Sequence, residues 1–288
     1  MRWCSWTPEP GGSGRLGALR QRDGEEWLLD VASWAASREA TAPADLVDLL
    51  EASELIQQRT TDLALTAHDD SPGWLRPASV RLLAPLRAPN SFRGFRAYRD
   101  DLLPVHYTGN RRAVAGDGED VRWPANTEQL DYECQVAAVL GRTGRDLGLA
   151  EARAAIFGYV IVNDWTARDV ERDELTYGLG PSKAKDFATS FGPVLVTADE
   201  WDPDVDHAMT VAVDDDVWSR GTTAGRRWTF ADLVVQASRH ADVYPTDVLA
   251  SGTFDGGCGF DLNLWLTPGQ LVTLSVDGIS TLTNRVVT

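Results

Sequence analysis

The chain is poor in cysteine, histidine and net positive charge, and each shortage excludes something. Its three cysteines among 288 residues, Cys4, Cys134 and Cys258, are an odd number with no short paired spacing. That argues against a disulfide framework or a thiolate zinc site and for reduced thiols. The four histidines, His68, His106, His207 and His240, form no HxH or HExxH pairing, which argues against a histidine-built metal centre. No stretch reaches the roughly 18 apolar residues of a membrane helix. Met1 to Trp6 lacks the apolar core of a signal peptide. A cytoplasmic protein without a membrane partner is therefore expected. With 27 Lys and Arg against 43 Asp and Glu, the net charge is −16, so nucleic acid is not an expected partner. A pocket that is locally basic for a small anion stays compatible with that charge.

What is present is ordinary globular material, 43% hydrophobic and 24% charged, enough for one large domain or two smaller ones. Residues 1–78 read as a small β-rich N-terminal module. Short strands flank Arg22-Asp23-Gly24, a hairpin signal, and residues 44–58 place Leu46, Leu49, Leu50 and Leu55 at helical spacing. Residues 79–288 are strand-rich, with strands expected over 132–140, 156–163, 194–197, 209–213 and 271–276. Two helices are expected there, over 149–155 and over 230–238, the second capped by Thr229. The fold class is thus α+β and mainly β. Asp214-Asp215-Asp216 reads as a solvated turn between strands.

Four blocks carry polar groups where apolar strands end. In Leu130-Asp131-Tyr132-Glu133-Cys134-Gln135, strand alternation puts Asp131, Glu133 and Gln135 on one face. Carboxylates entering an apolar strand need a partner or a metal unless the face meets water. Val162-Asn163-Asp164-Trp165-Thr166-Ala167-Arg168-Asp169 ends a second apolar strand in acid and base. Leu179-Gly180-Pro181-Ser182-Lys183-Ala184-Lys185-Asp186-Phe187 sets lysines in a loop framed by Gly and Pro. Leu249-Ala250-Ser251-Gly252-Thr253 delivers a hydroxyl into a glycine-rich loop.

In this order the blocks, with the closing Asn284-Arg285-Val286-Val287, resemble the fumarylacetoacetate hydrolase family over about 200 residues. The resemblance implies a mixed β-sandwich or β-roll catalytic domain, commonly a homodimer, preceded by a small module. It also implies Mg²⁺ or Ca²⁺ held by carboxylates, since hard cations take oxygen ligands. The implied ligand positions fall on Glu133, Gln135 and Asp164, and a further aspartate position falls on Gly94. Two of four charged ligands are thus replaced, and a weak or absent metal is expected. The water-activating base falls on Asp101, with His106 the nearby histidine and Asp261 the orienting carboxylate. Lys185 falls on a lysine that steadies developing negative charge. Tyr107, Arg168, Glu171 and Thr253 fall on substrate-binding positions. The plainer reading of Arg168 is an ion pair with Asp169 or Asp164, of Tyr107 and Trp165 is packing, and of Lys183 is a surface lysine.

The expected activity is that of an enzyme on a small enolisable oxo-acid or 1,3-dicarbonyl: C–C hydrolysis, decarboxylation or isomerisation. The alternatives are a metal-independent biosynthetic enzyme of condensation, cyclisation or tautomerisation, and a non-catalytic binding protein on a decayed site.

Overall fold

The computed structural model describes residues 1–9, 11–178 and 180–288; Pro10 and Leu179, the latter opening the lysine-bearing motif, lie outside the described residues. Among the described residues no helix is long and apolar enough to cross a membrane. The fold is α+β and mainly β. A 13-stranded sheet dominates, and a 5-stranded sheet carries the C-terminal hairpin.

The large sheet is organised by two apolar strands, Cys134–Leu140 and Ile156–Asn163. The first is buried at every position, and both are rich in the β-branched and small residues that pack on a pleated surface buried on both sides. They run antiparallel with Cys134 opposite Asn163. Beyond Cys134–Leu140 the sheet continues through Val248–Ala250, then Phe92–Phe95, then His106–Thr108. Ala250 pairs with both Ala137 and Gly94, and Gly94 in turn pairs with Tyr107. This lateral order matters because it brings residues from five distant stretches to one end of the sheet. Beyond Ile156–Asn163 the sheet continues through Val194–Thr197 into Arg2–Thr7 and the hairpin Arg15–Arg22 with Glu25–Asp30. The sheet therefore runs unbroken across the expected boundary after residue 78, and Arg81–Leu83 also pairs with Arg2–Thr7.

The Asp23-Gly24 turn has positive φ at both residues, 49° and 78°, as the hairpin signal requires. Thr229 caps Phe230–Ser238, its side chain accepting from the Asp232 amide. The single helix expected over 44–58 is instead two, Leu46–Glu51 and Glu54–Leu65, because Ala52 and Ser53 turn extended between them. The helix Arg168–Thr176 is an addition, hidden from hydropathy because its only buried residue is an arginine.

Gly158 sits where the central strand meets Val194–Thr197, and a Cβ there would run into the Val196 carbonyl oxygen. Backbone offers no room to give, so Gly158→Ala is expected to lower unfolding free energy by about 1–3 kcal/mol, measured by denaturant titration.

Candidate active site

At that end of the sheet a cavity of about 910 Å³ opens. Its floor is a cluster of buried charges. Asp164 ends Ile156–Asn163, Glu133 and Gln135 stand at the start of Cys134–Leu140, and Gly252 and Thr253 follow Val248–Ala250. Tyr107 reaches in from the outer strand.

Lys185 lies at the centre and is 4% exposed. Its Nζ donates to Glu133 Oε2 at 2.9 Å, Asp164 Oδ2 at 3.1 Å and Thr166 Oγ1 at 2.6 Å. An ammonium has three protons, so all its donors are engaged. Glu133 gives its other oxygen to Arg168, which donates at 2.7 Å. The Arg168 fork also reaches Asp131 Oδ2 and Glu171 Oε2, both at 2.8 Å. The Tyr107 hydroxyl donates to Asp164 at 2.7 Å. Gln135 turns its amide nitrogen to Glu133 at 2.8 Å, while its oxygen accepts from the Gly252 amide at 3.0 Å.

These neighbours set the protonation states. Burial alone would raise the Glu133 carboxyl, but Lys185 and Arg168 reverse this and hold it at about 2. Asp164 is raised by burial, which Lys185 offsets only in part. Burial works against the Lys185 ammonium, yet Asp164 and Glu133 overcome it and keep it charged. Tyr107 is pushed well above the ordinary phenol value by burial and by Asp164, so its hydroxyl stays a donor. His106 is lowered by burial and by Arg93, which leaves a neutral imidazole near pH 7.

Local structure holds the cluster in place. Glu174 accepts from the amides of Ser182 and Lys183 at 2.8 and 2.6 Å, fastening the lysine loop to the helix Arg168–Thr176. Asp131 accepts from the amides of Gly259 and Phe260 at 2.7 and 3.1 Å, fastening the glycine-rich loop to Arg168. Asp131, Thr166 and Glu174 were not among the candidates from sequence. For Asp131 there was a signal, its shared strand face with Glu133. The face of the helix is apparent only in the structure, where Arg168, Glu171, Arg172, Leu175 and Thr176 line the cavity at i, i+3, i+4, i+7 and i+8.

Of the candidates from sequence, Lys185, Glu133, Gln135, Asp164, Arg168, Glu171, Tyr107, His106, Thr253 and Asp261 all line the cavity. Asp101 does not: its carboxylate lies 3.6 Å from Arg96 Nε, outside the lining, so it is placed for an ion pair and not for a base. Asp261 accepts from the Gly256 amide at 2.9 Å and holds the loop; among the described residues it makes no hydrogen bond to His106. Arg168 pairs with Asp131, Glu133 and Glu171 in place of Asp169 or Asp164. Trp165 is packed, fully buried with its Nε1 donating to Ser190.

The donor set does not fit a hard divalent cation. The carboxylate oxygens of Glu133 and Asp164 already face cationic or hydroxyl donors, and Gln135 offers them N–H in place of an oxygen. The Tyr107 ring packs directly on Gly94, leaving no room for a side chain at the fourth position. Among the described residues no group of three His, Cys, Asp or Glu is placed to hold a metal.

The family model described as "Fumarylacetoacetate (FAA) hydrolase C-terminal" matches residues 89–287. The oxaloacetate tautomerase YisK of Bacillus subtilis is 27% identical over 265 residues, covering 85% of this chain and 87% of that protein. Among solved structures, a fumarylacetoacetate hydrolase from the psychrophile Exiguobacterium antarcticum aligns with TM-score 0.79 at 27% identity, covering 100% of this chain and 99% of its own. A 5-carboxymethyl-2-hydroxymuconate delta-isomerase from Mycobacterium smegmatis aligns with TM-score 0.74 at 25% identity, with the same coverage.

The depressed Glu133 pKa makes the cluster acid-sensitive. A carboxyl held at about 2 when folded, against about 4.3 unfolded, stabilises above pH 4.3. That contribution fades as pH falls towards 2. Glu133→Gln, which takes one partner from Lys185 and one from Arg168 but leaves them Asp164 and Asp131, is expected to cost about 1.5–3 kcal/mol at pH 7. The cost should shrink as pH drops through that window, as denaturant unfolding at a series of pH values would show.

Proposed function

The chain belongs to the fumarylacetoacetate hydrolase family, and on that premise we propose that it catalyses metal-independent proton transfer on a small enolisable oxo-acid. The reaction class is tautomerisation or isomerisation through an enolate. The observation that carries this reading is the Lys185 ammonium locked among Glu133, Asp164 and Thr166 at the cavity floor.

Enolisation needs negative charge steadied on an oxygen and a base for the carbon proton. Lys185 supplies a fixed positive charge beside the cavity; its donors being engaged, it acts through its field more than through a new hydrogen bond. Tyr107, protonated and giving its proton to Asp164 at 2.7 Å, leaves a hydroxyl oxygen that can accept from an enol hydroxyl. Thr253 Oγ1 is buried on the cavity wall with no partner among the described residues. A buried hydroxyl left unsatisfied in the free protein suits a substrate oxygen. His106, neutral and lining the same cavity, is the group assigned to carry the proton, taking it from carbon and returning it to oxygen in enolisation and the reverse in ketonisation.

Hydrolysis would also need an oriented, activated water. Asp101 lies outside the cavity and Asp261 holds a loop amide, so neither supports a water-activating pair with His106. The tautomerase and isomerase named among the relatives support proton transfer as the reaction class. The cationic side chains Arg96, Arg99 and Arg172 line the same cavity and suit an anionic substrate in an otherwise acidic protein.

The test is enol-to-keto conversion of oxaloacetate and other 2-oxo acids by chelator-treated protein, followed by loss of enol absorbance. Activity is expected to persist in the chelator. Lys185→Ala is expected to lower kcat by roughly 100- to 1000-fold, and His106→Gln by roughly 100-fold or more. Thr253→Val, which spares the charge cluster, should lower kcat/KM by about tenfold, the worth of one hydrogen bond. Activity that vanishes with chelator and returns with Mg²⁺ would contradict the reading, as would an absence of acceleration with any 2-oxo acid.

A further inference from the structure

Beyond the buried charges and the arginines Arg96, Arg99 and Arg172, the cavity is lined by large apolar side chains. Val105, Leu175 and Phe260 line it and are 45%, 55% and 54% exposed. Tyr98 and Pro181 line it as well. Several large apolar side chains converging on one cavity and left wet mark a binding surface more than ordinary surface scatter.

The backbone that carries two of these side chains is anchored. Phe260 is fixed through its amide, which donates to Asp131 at 3.1 Å. Its ring lies 5.5 Å from the Arg168 guanidinium carbon and meets Trp265 edge-on at 6.3 Å. Leu175 rides on the helix Arg168–Thr176, two turns from Arg168. Both residues therefore sit on backbone linked to Arg168, Phe260 through Asp131 and Leu175 through the helix. At about 910 Å³ the cavity is near the upper end of the 300–1,000 Å³ that accommodates drug-sized ligands. A four-carbon acid seated on the floor would leave these walls in water.

We infer that the substrate carries an apolar arm of aryl size beyond its oxo-acid head, seated between Phe260 and Leu175. This rests on the proposed function for the placement of the head, but its test needs no turnover. An aromatic ring matches Phe260 because offset or edge-on ring pairs add to the gain from area burial. The oxo-acid head lies beside the Lys185 charge within reach of Thr253, and the arm lies along the apolar part of the lining.

Two inert probes share an oxo-acid head and differ only in the arm: oxamate and its N-phenyl derivative, oxanilate. Titration calorimetry with the full-length protein is expected to show oxanilate binding at least about tenfold tighter, equivalent to about 1.4 kcal/mol. Phe260→Ala and Leu175→Ala should each shrink the ratio of the two affinities to within about threefold, and the ratio is its own control for overall folding. Equal affinities in the unmodified protein would overturn the inference. So would a preference that survives both substitutions, or no binding of either probe at millimolar concentration. If oxanilate is preferred through Phe260 while no oxo-acid turns over, the proposed reaction falls and this inference stands. If oxo-acids turn over while the two probes bind alike, the reverse holds.

Discussion

Everything at this site follows from burying one ammonium among carboxylates. Lys185, Glu133 and Asp164 are all taken from water, and the desolvation of three charges costs several kcal/mol per ion before any attraction is counted. Such a cluster persists only if each charge keeps partners of good geometry. Here Lys185 uses all three of its protons, and Glu133 is bonded through both oxygens. The arrangement is poorly suited to stability and well suited to function, because a fixed charge in a low-dielectric cavity acts strongly on any charge that develops beside it.

The rest of the architecture serves that constraint. The lateral order of the large sheet brings Asp164, Glu133, Gly252, Gly94 and Tyr107 to one end from strands far apart in sequence. Glu174 fixes the lysine loop through backbone amides, and Asp131 fixes the glycine-rich loop through two more. Arg168 connects them, since it begins the helix that carries Glu174 and is bonded to Asp131 and Glu133. Loss of any one of these carboxylates would release a loop as well as a charge. Gly94 plays the complementary part: lacking a side chain, it lets the Tyr107 ring close over the position where the resemblance implies another carboxylate.

Much of this was legible in the sequence, for physical reasons that differ by element. The apolar strands, the Asp23-Gly24 turn and the Thr229 cap are local, and local chemistry determines them. The polar residues at the strand ends were legible because a carboxylate inside an apolar run demands an explanation. What stayed hidden was who explains whom. The ion pair read for Arg168 was with Asp169 or Asp164, whereas it bonds Asp131, Glu133 and Glu171, which come together only when the strand register and the helix are known. The helix Arg168–Thr176 escaped notice because its cavity face is charged, so it has no apolar stripe to betray it. Asp101 is a related case: counting along a loop from Gly94 gives a position in the chain, and in the structure its carboxylate lies 3.6 Å from Arg96 Nε.

The central claim is that the Lys185 ammonium supplies, from within the chain, the positive charge that a divalent ion would otherwise bring to Glu133 and Asp164. Calorimetric titration of the chelator-treated protein with Mn²⁺ and Mg²⁺ at neutral pH and moderate salt tests it most directly. No saturable binding tighter than millimolar is expected, because a cation would have to displace Lys185 and share carboxylates already paired with Arg168 and Tyr107. One equivalent of either ion bound with micromolar affinity, and lost in Glu133→Gln, would contradict it.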